Sequence, residues 1–232
     1  GSPMLSVYPN GWSCGVECLI NAIYKDVTDN HADLYPNAES HGSTPGVEAT
    51  KDAVEAVTGL TIQSYVLVDM AGFKRLIDAL GGITITVKDR LPIGGQEDAN
   101  GQPINVKGWI EPGTQHMDGS TALWFARARH GSSDYARMQR QREVEDAMLQ
   151  QLDPANVLAR FQDIAGAGKQ LLKTDIPNGM VGTYIDLAIK AKKLGIKPLQ
   201  LVPPTIDVVN PNFTAIHQLV QQTIKGEATT QK

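Results

Sequence analysis

The sequence predicts an α/β fold, a central mixed β-sheet flanked by helices in α-β-α layers, built as one domain. Three observations predict it. Helix-like and strand-like segments alternate closely between Thr44 and Val87, the pattern of a layered α/β domain. The helix-like segments carry apolar residues at i, i+3, i+4 and i+7, which marks one buried face. Finally, 232 residues at 41% hydrophobic and 20% charged can bury one sizeable core.

The elements follow in order. Gly1-Ser2-Pro3-Met4 reads as a cloning remnant, so the folded region is taken as residues 5–225, with the polar tail 226–232 expected to be disordered. Cys18 to Lys25 predicts a short helix, and Asp29-Asn30-His31 and Tyr35-Pro36-Asn37 read as loop. Thr44 is placed to cap the next helix, Pro45 suits its first position and Gly59 closes it. Thr61 to Val68 alternates and is rich in β-formers, so it reads as a strand. Asp69 can cap a helix whose apolar stripe is Phe73, Leu76, Ile77 and Leu80, and Gly81-Gly82 stops it. Ile83 to Val87 is the next strand, and Asp89 to Gln102 is a hairpin or long loop. Asp118 starts a helix through Ala122, Leu123 and Phe125, and a longer one runs from about Asp134 to Leu152. Pro154 with Asn156 to Leu172, Tyr184 to Leu194 and Pro211 to Ile224 also read as helices, and Leu199 to Val202 as a short strand before Pro203-Pro204.

Composition excludes some functions. A net charge of −4 argues against a nucleic-acid surface, which needs a basic face. No apolar run approaches the ~20 residues that span a bilayer. Cys14 and Cys18 have three residues between them, unlike the two of a redox C-x-x-C motif, and two thiols do not close a zinc site. Two readings of them stand: free thiols, or a local disulfide in an oxidising compartment.

The chemically informative stretch is Arg127 to Arg142, where five arginines and no lysine fall within 16 residues. A guanidinium offers a planar fork that pairs bidentately with phosphate oxygens and keeps its charge when desolvated. Arg127 and Arg129 sit where a helix ends. Arg137 and Arg140, three apart, can share a face of the next helix. Asp134 could cap that helix, whose free N–H groups favour an anion nearby. A loop and a helix start, both bearing arginines, make a clamp for a diphosphate; the plainer reading is a solvated basic face paired with Glu143, Glu145 and Asp146. His130, beside the run, could act as an acid or base or simply be solvated.

Met117-Asp118-Gly119, then Ala122-Leu123-Trp124-Phe125-Ala126-Arg127-Ala128-Arg129, then Asp134-Tyr135-Ala136-Arg137 and Arg140-Gln141-Arg142 together resemble the signature stretch of the LytR–CpsA–Psr family. Upstream, Ile20-Asn21-Ala22, Pro45-Gly46-Val47-Glu48 and Tyr65 through Gly82 are similar to the family's preceding segments. The likeness is strongest to actinobacterial members. It implies a cell-wall glycopolymer phosphotransferase, which passes a glycosyl-phosphate from a polyprenyl-pyrophosphate carrier to a peptidoglycan hydroxyl, with pyrophosphatase activity as a further expectation.

Carried over residue by residue, the resemblance implies that Arg127 and Arg129 are catalytic and grip the pyrophosphate, assisted by Arg137, Arg140 and Gln141. It implies an apolar pocket for the polyprenyl chain, with Val66, Val68, Phe73, Ile77, Ile83, Ile85, Leu123 and Phe125 as candidate walls; the plainer reading of these is ordinary core. It implies Mg2+ carried with the diphosphate. It also implies an extracytoplasmic location with a membrane anchor outside this chain, and a wall polysaccharide such as arabinogalactan as cargo.

The sequence departs from the family pattern at its start. A Gly-x-Asp-x-Arg motif, whose acidic neighbourhood helps hold magnesium, and a Pro-Arg-Asp turn are both missing, and Leu19 stands where the family has lysine. The domain therefore reads as N-terminally incomplete, its metal ligands as unknown and its activity as impaired, with a homodimer expected where a sheet edge lacks its partner. The alternative function is a non-catalytic domain that binds a polyprenyl phosphate or anionic glycolipid. A DNA-binding regulator, the third class, lacks both a basic face and a helix-turn-helix signal.

Overall fold

The computed structural model describes residues 7–8, 20–99, 102–128, 133–151, 172–194 and 199–226. In chain order its main elements are α1 (Ile23–Asn30), α2 (Pro45–Thr58), β1 (Val66–Val68), α3 (Met70–Ala79), β2 (Ile83–Val87), β3 (Leu91–Ile93), β4 (Gln96–Glu97), β5 (Pro103–Ile104), β6 (Gly108–Ile110) and β7 (Gly113–Met117). They continue with α4 (Gly119–Arg127), α5 (Asp134–Gln151), β8 (Leu172–Thr174), α6 (Val181–Leu194) and α7 (Phe213–Lys225). The chain is α/β, its helices accompanied by small two-stranded ladders, those of β2–β7, β3–β6 and β4–β5 antiparallel. It divides into two compact units: Gly1–Val66 with Thr174–Ile176 and Lys197–Lys232, and Leu67–Lys173 with Pro177–Ile196.

The first unit is mainly helical. Ile23 and Val27 of α1 meet Ala49 and Ala53 of α2, and Val7 and Tyr8 complete this buried cluster. Tyr8 Oη donates to Asp26 Oδ2 at 2.6 Å, and Tyr35 Oη donates to Asp52 Oδ2 at 2.7 Å. Burial first, and then the neighbouring carboxylate, pushes both phenols well above their usual range. Helix α7, capped by the Asn212 side chain at the Ala215 N–H (3.0 Å), buries Ile216 and Val220. Its His217 Nε2 lies 2.9 Å from the Ala56 carbonyl on α2.

Several expectations are corrected here. Asp29 and Asn30 belong to α1, not to a loop, because Lys25 pairs with Asp29, and Asn30 bonds Asp26 at 3.0 Å, each one helical turn away. Thr44 takes the extended N-cap backbone, yet its buried hydroxyl makes no capping bond. The expected strand at Thr61–Val68 shrinks to Val66–Val68. Side chains claim the backbone that a ladder would need: Ile62 N–H bonds Glu55 Oε1 at 2.6 Å, Tyr65 N–H bonds Asp175 Oδ1 at 2.9 Å, and Thr174 Oγ1 bonds the Tyr65 carbonyl at 2.6 Å. Leu199–Val202 forms no strand, and the prolines at 203 and 204 remove the next two ladder donors. Of the helix expected over Asn156–Leu172, Leu172 opens β8, while 152–171 lie outside the described residues, as do Cys14, Cys18 and the tail from 227.

The second unit carries the arginine helices. Strand β2 pairs antiparallel with β7, Ile83 opposite Met117 and Val87 opposite Gly113. Ile83, Ile85 and Val87 face inward and alternate with exposed Thr84 and Thr86, the period-two pattern of a half-buried strand. Strand β7 was not anticipated, since only Met117 on it is fully buried. Between them the excursion expected over Asp89–Gln102 runs on to Ile110 as a nested hairpin: β3 pairs with β6 and β4 with β5. Arg90 ties its base, stacking 4.0 Å over Trp109 and pairing with Glu111 at 2.9 Å.

Helices α3, α4 and α5 pack with β2 around Ile77, Ile83, Phe125, Val144 and Ala147. Gly82, at φ 86°, adopts a conformation that favours glycine, and a Cβ there would meet the His116 ring. At Gly119 a Cβ would overlap the Lys74 carbonyl, so α3 and α4 cross in direct contact. Gly119→Ala should therefore destabilise the protein by about 2–3 kcal/mol in urea denaturation. Gly182→Ala on α6, where the added methyl meets open space, should leave stability unchanged or raise it by up to ~1 kcal/mol.

Candidate functional site

Helix α4 leaves β7 with a single residue between them, Asp118, and its start is held by two carboxylates. Asp118 Oδ1 accepts the Thr121 N–H at 2.7 Å, and Asp78 Oδ1 from α3 accepts the Gly119 N–H at 2.7 Å. Both satisfy donors that a helix start leaves open, and their charge suits the positive end of the dipole. The Thr121 N–H holds the Asp118 carboxyl below the usual carboxylate range.

The far end of α4 is held by a guanidinium. Arg140 of α5 is 9% exposed. Its Nε donates to the Phe125 carbonyl at 3.1 Å and its Nη2 donates to the Ala128 carbonyl. Burial pushes its pKa down, as does neighbouring Arg137, while Glu143 and Asp89 favour the charge. The two arginines that spacing alone put on one face thus have different surroundings, Arg140 buried and Arg137 half-buried, and the adjacent Gln141 is exposed.

Arg127 occupies the last turn of α4 and is exposed. Its Nη1 donates to Met70 Sδ at 3.0 Å, and its guanidinium lies 6.0 Å from the Trp124 ring centroid. Trp124 precedes it by three positions, a spacing that brings side chains together on a helix. Neither neighbour neutralises it. Arg129 and His130 lie outside the described residues. Helix α5 begins at Asp134, but the cap is Ser133, whose Oγ accepts the Ala136 N–H at 3.2 Å. Asp134 is instead the first helical residue.

The candidate lipid walls separate into two groups. Ile77, Ile83, Ile85 and Phe125 are fully buried members of the core, and Phe73 packs against it. Val68 and Leu123 are half-buried, and Val66 is 56% exposed. A cleft of about 430 Å³, open to solvent, lies along α5 beside the end of β2. Val87, Leu91, Phe125 and Ala136 supply its apolar lining, and Lys88, Asp89, Gln139, Arg140 and Glu143 its polar one. Phe125 alone of the expected walls reaches it. Among the described residues no three His, Cys, Asp or Glu side chains converge to hold a metal ion.

This arrangement can be set beside known proteins. The model of the LytR_cpsA_psr family matches residues 7–231. The chain belongs to that family. The LytR–CpsA–Psr chain is 30% identical over 190 residues to the polyisoprenyl-teichoic acid–peptidoglycan teichoic acid transferase TagU of Oceanobacillus iheyensis, covering 79% of this chain and 52% of the relative. It is 32% identical over 125 residues to the biofilm regulatory protein A of Streptococcus mutans, covering 53% of this chain and 30% of the relative. The chain thus spans about half or less of the length of these curated relatives. Its fold is that of the crystal structure of Bacillus subtilis TagV, with a TM-score of 0.55 at 24% identity, covering 83% of this chain and 74% of that one.

Two side chains beside the arginines escaped the sequence reading of the LytR–CpsA–Psr signature. Trp124 could have been found from its i, i+3 spacing to Arg127. Met70, 57 residues upstream, could not. The helix that displays Arg127 depends on its Asp118 cap, which sets a test. Asp118→Ala should lose about 1 kcal/mol at pH 7 in urea denaturation, and Asp118→Asn little, since asparagine caps equally well. The folded-state carboxyl is the more acidic, so the charge contributes stability above the unfolded pKa of about 3.9 and loses it as the pH falls through the folded value. The difference between wild type and Asp118→Ala should therefore narrow in acid.

Proposed function

We propose that this chain is the transferase domain of a cell-wall glycopolymer transferase that acts on a polyprenyl-pyrophosphate carrier outside the cytoplasm. The observation that carries this reading is the exposed Arg127 guanidinium, set at the end of α4 in the family's Arg-Ala-Arg segment and held from the side by Met70 and Trp124. A cation oriented by soft, uncharged neighbours keeps its charge for an anionic ligand. Family membership and the name of the O. iheyensis relative support the substrate class.

In this reading Arg127 and Arg129 grip the two phosphates, with Arg137 and Gln141 assisting from α5. The acceptor hydroxyl oxygen of peptidoglycan bonds to the phosphorus that bears the glycan. The bridging P–O bond breaks, polyprenyl phosphate leaves with the bridging oxygen, and the hydroxyl proton passes to solvent. The arginines offset the charge that gathers on the leaving phosphate, and positioning with charge neutralisation is most of what phosphoryl transfer requires. Arabinogalactan and other wall polysaccharides are candidate cargoes, and attachment to the membrane belongs to the same proposal.

The test is native mass spectrometry of the chain with a polyprenyl pyrophosphate. A bound complex is expected, weakened ~10-fold or more, about 1.4 kcal/mol, by Arg127→Ala. Failure of the unaltered chain to bind contradicts the reading. Binding of a glycan-loaded carrier without release of polyprenyl phosphate to a peptidoglycan acceptor identifies a holding domain instead.

A further inference from the structure

Arg140 sits in the arginine run but does something other than its neighbours. Its side chain is buried, and Nε and Nη2 are both committed to backbone carbonyls at the end of α4. A helix end leaves its last carbonyls without partners. Phe125 belongs to the last turn of α4, and Ala128 is the residue at which the chain leaves the helix, with φ −53° and ψ 129°.

We propose that Arg140 is a positioning residue, which fixes the C-terminal end of α4 through the Phe125 and Ala128 carbonyls and so orients Arg127 in the last turn of that helix. This rests on the reading of Arg127 as part of the diphosphate grip. The guanidinium fork spans two carbonyls at once, which a lysine ammonium cannot do with the same rigidity. Its positive charge also complements the negative end of the helix dipole. The Arg140 side chain is 9% exposed, with Nε and Nη2 turned to the backbone of α4 and away from solvent. The cation therefore acts on the ligand through α4 and not by touching it.

Three measurements on the full chain decide the matter. In NMR spectra of the unaltered protein with ¹⁵N-labelled arginine, the Arg140 Nε–H should exchange slowly with water. It should stay in place on titration with inorganic pyrophosphate, while the Arg127 signal moves. In Arg140→Lys, amide hydrogen exchange should accelerate about tenfold or more at residues 126–129, with the other segments unchanged. The same variant should bind pyrophosphate roughly 10-fold more weakly, and that loss should vanish in an Arg127→Ala, Arg129→Ala background, because coupled residues are non-additive. An Arg140 signal that shifts with pyrophosphate as Arg127 does, a loss that persists in that background, or unchanged exchange at 126–129 overturns the proposal. If Arg140→Lys does not fold, the spectra of the unaltered chain still decide. If the unaltered chain does not bind pyrophosphate, the diphosphate reading fails, while the exchange measurement still settles whether Arg140 holds the end of α4.

Discussion

Everything proposed for this protein depends on a nine-residue helix held at both ends by side chains remote from it in sequence or lying just outside it. Helix α4 starts on the carboxylates of Asp118 and Asp78 and ends on the guanidinium of Arg140. Isolated helices of this length do not persist in water. What makes α4 rigid is this pinning, together with Phe125, Ala122 and Ala126 on its buried face. Arg127, in its last turn, inherits that rigidity. A long, flexible cation becomes an oriented one because its backbone is fixed below it and Met70 and Trp124 flank it.

The same buried face explains why the core and the candidate pocket compete for residues. Ile77, Ile83, Ile85 and Phe125 lie within 5% of full burial, and each removes enough apolar surface from water to contribute about 1.5–3 kcal/mol. Side chains so enclosed are committed to folding. The cleft beside them carries Lys88, Asp89 and Glu143 as well as apolar groups, a mixed lining suited to a polar or amphipathic ligand.

Much of the architecture was legible in the sequence because it is written in local signals. The Asp69 and Asp118 caps, the apolar stripe ending at Ile77 and Leu80, the glycines that stop α3 and the alternation of β2 all act within one or two turns of chain. The failures are of another kind. Thr61–Tyr65 has strand-like composition, yet Glu55, Thr174 and Asp175 take its backbone groups, and two of those three lie more than 100 positions away. At the site, the all-arginine composition marked a candidate anion-binding segment. It could not say which arginine turns inward. Arg137 and Arg140 are equivalent by helical spacing, and only the packing of α5 on α4 buries Arg140 beneath the carbonyls of Phe125 and Ala128. Ser133 displaced Asp134 as the cap by a single position, which is within the uncertainty of any helix boundary.

In the proposed arrangement Arg127 meets the diphosphate while Arg140 holds the helix beneath it. A crystal structure of the chain with a polyprenyl pyrophosphate tests it most directly. The account predicts phosphate oxygens within hydrogen-bonding distance of the Arg127 guanidinium, about 2.7–2.9 Å, with Arg140 still on the Phe125 and Ala128 carbonyls. A diphosphate bound away from α4, or an Arg140 that has left those carbonyls to grip it, would contradict the account.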